Sequence, residues 1–88
     1  MNIIIASNIV SEYSHTLELI ADKKRIIISF SFRLNDINVL VPNAAHKAYR
    51  GSGNFFSNIN EALNHYNSPV TKALINAAND IYLKSIES

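Results

Sequence analysis

Residues 24–33, KRIIISFSFR, alternate with period two along their whole length. Ile26, Ile28, Phe30 and Phe32 fall on one side. Arg25, Ser29, Ser31 and Arg33 fall on the other, with Ile27 the one apolar residue among them. A chain alternates in this way when it is extended and half buried, because successive Cβ atoms point to opposite faces of a sheet. β-Branched and aromatic side chains fill the apolar side, as suits a pleated surface. The stretch therefore predicts the central strand of an antiparallel sheet with one wet face.

The flanking segments are read against that strand. Residues 12–21, EYSHTLELIA, fit two patterns. As a helix, Tyr13, Leu17, Ile20 and Ala21 share a face and Ser11 is the N-cap. As a strand, Tyr13, His15, Leu17, Leu19 and Ala21 alternate with Glu12, Ser14, Thr16 and Glu18. The strand is preferred, since Asp22-Lys23 is a short polar turn that closes a hairpin directly onto residues 24–33. Asn35-Asp36 supplies the next turn. Residues 36–41, DINVLV, then form a strand with Ile37, Val39 and Val41 inward, ended by Pro42. Residues 2–10, NIIIASNIV, are either a first strand or an apolar arm over the core.

Residues 43–56 are read as a connection. Asn43 caps a short turn there, and both glycines of the chain, Gly51 and Gly53, point to unusual backbone dihedrals. The last third is helical. Asn58 and Glu61 form a capping-box pair ahead of the stripe Ile59, Ala62, Leu63 and Tyr66. Ser68-Pro69 opens a second helix with Ser68 as N-cap. Its inward stripe is read as Val70, Leu74, Ala77 and Ile81, leaving Ile75, Tyr82 and Ile86 as a second apolar edge. The fold class expected is two-layer α+β: a three- or four-stranded antiparallel meander, then two C-terminal helices packed on one face, all one domain over residues 1–88.

Composition narrows function by subtraction. Apolar residues make up 48% and charged residues 17%, which argues against disorder and leaves few charges to cover the surface. The net charge of +1 gives no strong pull towards nucleic acid or anionic membrane. Without cysteine there is no disulfide or thiolate site, and a reducing compartment is permitted. The apolar start lacks a basic leader and is cut by Ser7 and Asn8, so neither a signal peptide nor a membrane span is expected. The chain is expected to be cytoplasmic.

No catalytic motif stands out. His15, His46 and His65 sit on separate segments without metal-ligand spacing, so no metal or cofactor is expected. Asp22 and Asp36 serve turns, Glu61 serves a cap, and Glu12 and Glu18 face solvent, so an enzyme is not expected. Two surfaces remain. The apolar edge Ile75, Tyr82 and Ile86, together with the loop residues His46, Lys47, Tyr49 and Arg50, suits a protein partner or a second copy of the chain. Lys23, Lys24, Arg25 and Arg33, with Lys47 and Arg50, are the residues a DNA- or RNA-binding face would use, the alternative reading.

Within residues 43–78, the segments HKAYRGSGNFF, NEALNHYNSP and KALINAA resemble short accessory proteins of phages and mobile elements. The resemblance implies a small factor that binds a host complex and modulates or inhibits it, the class to which anti-defence and anti-CRISPR inhibitors belong. It carries no functional residue with it.

Overall fold

The computed structural model describes residues 2–41 and 53–87. Among these, five strands and two helices form an α+β domain. They are β1 (Ile4–Val10), β2 (Ser14–Ala21), β3 (Lys24–Ser31), β4 (Ile37–Leu40), β5 (Asn54–Phe56), α1 (Ile59–His65) and α2 (Pro69–Glu87). The sheet is an antiparallel meander in sequence order, with β3 at its centre. The expected fold class holds. The N-terminal stretch is a strand rather than an arm, and a fifth strand lies where only a connection was expected.

The turns follow from local chemistry. Asp22 and Lys23 both have positive φ, 50° and 67°, so β2 and β3 are joined by a two-residue loop whose twist matches that of the strands. Asn35 takes the left-handed region at φ 53° before β4. Ser11 does not cap a helix. Its Oγ accepts from the Ser14 N–H at 3.1 Å and from the Tyr13 N–H at 3.2 Å, closing the β1–β2 reversal. Gly53 does not have positive φ; its role is close approach. A Cβ there would collide with Asn38 Oδ1 and lie 2.5 Å from the Val39 carbonyl oxygen. Gly51 lies outside the described residues.

Alternation gives the core. Leu17, Leu19 and Ala21 of β2, Ile26, Ile28 and Phe30 of β3, and Ile37 and Val39 of β4 are buried on one face. The α2 helix packs on β2 and β3, while α1 packs on β4, β5 and α2. Phe32 and Val41, expected inward, lie just past the ends of β3 and β4 and are exposed. Both helix caps form as read. Asn58 Oδ1 accepts from the Glu61 N–H at 2.9 Å, and Glu61 Oε2 accepts from the Ser57 N–H at 3.0 Å. Ser68 Oγ accepts from the Thr71 N–H at 3.3 Å.

The seat of α2 differs from the expected one. Thr71, Leu74, Ile75 and Ala78 are the buried residues, and Tyr82 continues their row. Val70, Ala77 and Ile81 flank it, partly buried. Ile75 has no exposed surface, so it cannot line a partner-binding edge. The residues Ile75, Tyr82 and Ile86 do share one face, and that face is the one seated on the sheet. Only its last turn runs beyond the core, where Ile86 is 56% exposed.

This placement separates the three residues energetically. Ile75→Ala is expected to cost about 2–4 kcal/mol and Ile86→Ala less than about 0.5 kcal/mol, read from urea midpoints at constant m. In the β2–β3 turn, Lys23→Gly relieves a left-handed residue and is expected to raise stability by about 1 kcal/mol in the same assay.

Candidate functional site

Two faces of the sheet have unlike fates. The inner face is covered by helices. The outer face has no covering layer among the described residues. Register places Ile4, Ser7 and Ile9 of β1 beside Ile20, Glu18 and Thr16 of β2 on this face. Arg25, Ile27 and Ser29 of β3, Asn38 and Leu40 of β4, and Phe55 of β5 continue it. Ile20, Ile27 and Leu40 form its apolar middle, each half-buried by its neighbours, with Phe55 66% exposed at one margin.

Four polar side chains of the outer face form two pairs across β2 and β3. Arg25 Nη1 lies 3.5 Å from Glu18 Oε2, and Thr16 and Ser29 share a hydrogen bond of 2.8 Å. The expected wet face is thus partly apolar. Arg33 and Glu12 do not belong to it, since they lie in the reversals beyond β3 and before β2.

Strand β1 is an edge, and it packs on β2 alone among the described residues. Because α2 sits over β2 and β3, β1 overhangs the helix layer. Its apolar side chains are exposed on both faces: Ile4 and Ile9 on the outer, Ile5 and Val10 on the inner. A bulge between Ile5 and Ser7 shifts its register.

One polar cluster, centred on the buried His15, ties this edge to the helices. His15 is 1% exposed and carries the three-way contact. His15 Nε2 donates to the Asn8 Oδ1 at 2.6 Å, which places the ring proton on that nitrogen. Its Nδ1 lies 3.4 Å from the Ser85 Oγ, whose hydroxyl donates to the Tyr82 carbonyl at 2.6 Å. Tyr82 stacks on Phe30 with centroids 4.2 Å apart and the rings nearly parallel. Tyr82 is therefore held in the packing, half-buried, rather than offered to a partner.

The remaining predicted residues are dispersed. Lys24 Nζ donates to Ser68 Oγ at 2.8 Å, and Arg25 is paired with Glu18. Arg33 lies over the Tyr13 ring at 5.0 Å, at the opposite end of β3. The seven steps of β3 separate the two ends by about 23 Å. The four cations Lys23, Lys24, Arg25 and Arg33 do not form one patch. His46, Lys47, Tyr49 and Arg50 lie outside the described residues.

An open hollow of about 210 Å³ lies between the end of β3 and α2, walled by Phe30 and Tyr82 and rimmed by Asn35, Asp36 and Asn79. It falls below the roughly 300–1,000 Å³ of ordinary small-molecule sites. No group of three His, Asp or Glu converges on a metal-sized site among the described residues. No helix among them is long and apolar enough to cross a membrane. Sequence reasoning had the sheet face as a polar, nucleic-acid candidate and missed its apolar middle and the β1 edge. The signals were Ile27 and Leu40 standing in polar positions of alternating strands, and the uncharged run over residues 2–11. Comparison of the chain with protein-family models, curated proteins and solved structures gave no match.

Replacing His15 by leucine keeps the volume but removes the tie to Asn8, whose exposed side chain turns to water instead. The expected outcome is a loss of about 0.5–1.5 kcal/mol, with backbone amides of β1 exchanging faster than in the wild type. Hydrogen exchange followed by mass spectrometry checks both.

Proposed function

We propose that this protein is a non-catalytic binding factor that docks on a protein partner through the outer face of its sheet, which none of the described residues covers. The observation that carries the reading is that face itself. It sets apolar anchors Ile20, Ile27, Leu40 and Phe55 around the Arg25–Glu18 and Thr16–Ser29 pairs. A partner covering it gains apolar burial without having to strip an unpaired charge. The near-neutral total charge agrees with a protein partner better than with a phosphate backbone. The resemblance of residues 43–78 to phage and mobile-element accessory proteins supports a factor that modulates or inhibits a host complex in the cytoplasm.

The test is affinity capture of the tagged chain from its native host, with nuclease treatment, beside the variants Ile27→Lys and Leu40→Lys. A stoichiometric protein that survives nuclease and is lost at least tenfold with either variant is the expected outcome. Each lysine is partly exposed on an uncovered face, so folding is checked by circular dichroism and is expected to be retained. Recovery of nucleic acid alone, released as salt rises, would replace this reading with one based on Arg25, Arg33, Lys47 and Arg50.

A further inference from the structure

The two edges of the sheet are built differently. β5 is three residues long, and so short an edge offers little to an added strand. β1 is seven residues long, and from Asn2 to Ser11 there is no charged side chain and no proline. Native edges are commonly protected by lysine, proline, brevity or a bulge. Of these β1 has the bulge between Ile5 and Ser7 alone, and it leaves Ile9 and Val10 in an unbroken pairing with β2. Among the described residues, nothing pairs with the row of backbone donors and acceptors on its side away from β2. Ile3, Ile4, Ile5, Ile9 and Val10, five large apolar residues within eight positions, are 36–62% exposed.

We propose that β1 pairs antiparallel with β1 of a second copy, joining two five-stranded sheets into one of ten strands. Several observations select this occupant. A partner must satisfy a backbone ladder and cover apolar side chains on both faces at once, which requires another strand with apolar residues on both faces. β1 is itself such a strand. A neutral strand meeting its own copy opposes no like charges. Antiparallel pairing about a two-fold axis normal to the sheet closes the assembly at two copies. It also keeps each face with its like: Ile4 and Ile9 meet their counterparts on the outer side, Ile5 and Val10 on the inner.

The area is sufficient. The five side chains hold on the order of 300 Å² of apolar surface, and the backbone strip, about 24 Å long, adds roughly as much. Two protomers together then bury about 1,200 Å², the lower end of the range for specific interfaces. Dimerisation is therefore expected in the micromolar range. This inference does not depend on the sheet-face reading: a strictly monomeric protein could still bind through that face, and a dimer would set two such faces side by side.

Sedimentation equilibrium of the full chain tests it, from about 1 µM to about 300 µM. The weight-average mass is expected to climb from 9.8 kDa towards twice that value. Ile9→Lys and Ile4→Lys change exposed side chains and are expected to fold while remaining at the monomer mass. Ile86→Lys, on α2, is expected to behave as the wild type. In the wild type, β1 amides exchange more slowly as concentration rises. A wild-type mass of 9.8 kDa throughout would overturn the proposal. So would a dimer that survives both β1 variants, or β1 exchange that is independent of concentration in a dimeric sample.

Discussion

Helices are wider than strands, and the rest of the structure follows from that mismatch. Five strands at their usual spacing span about 19 Å from first to last, whereas packed helices stand about 8–10 Å apart. Two helices therefore cover about four strands. α2 takes β2 and β3, α1 takes β4 and β5, and β1 is left outside the cover. The well-packed core lies where α2 meets the centre of the sheet, at Leu17, Leu19, Ile26, Ile28, Leu74 and Ile75. The exposed apolar residues concentrate where the cover runs out.

A strand without a helix above it still has to be held. β1 has its ladder to β2 and one side-chain tie, from Asn8 through the buried His15 to Ser85 near the end of α2. A histidine can do this because its two ring nitrogens lie on opposite sides of a flat ring that also packs against Tyr82. An apolar residue in its place would fill the volume but leave the edge strand and the end of the helix without a shared anchor. The same tie keeps Tyr82 on Phe30, where it walls the hollow beside the core.

The elements were legible wherever a local rule governs. Strict alternation in β3, the Asp22-Lys23 turn, the Asn58–Glu61 cap and the Ser68 cap each depend on a few adjacent residues, and each formed as read. The face of α2 was not legible because a polar Thr71 and a small Ala78 stand in its buried row. Apolar periodicity then favoured the neighbouring row through Val70 and Ile81. β5 was hidden because three residues are too few to show a period. The binding surfaces were hidden for a different reason. Whether Ile27 lies against a helix or under open solvent depends on how many helices the chain has and how broad the sheet becomes, and neither is a property of the residues beside it.

The meander order has a consequence during synthesis. Every strand pairs with the one made immediately after it, so a hairpin partner arrives about one or two seconds later at ordinary translation rates. The inner face has no such provision. Ile26 and Ile28 are laid down early, yet the helix that covers them is the last element in the order, several seconds behind. The core therefore closes last, although the strands that line it are made first.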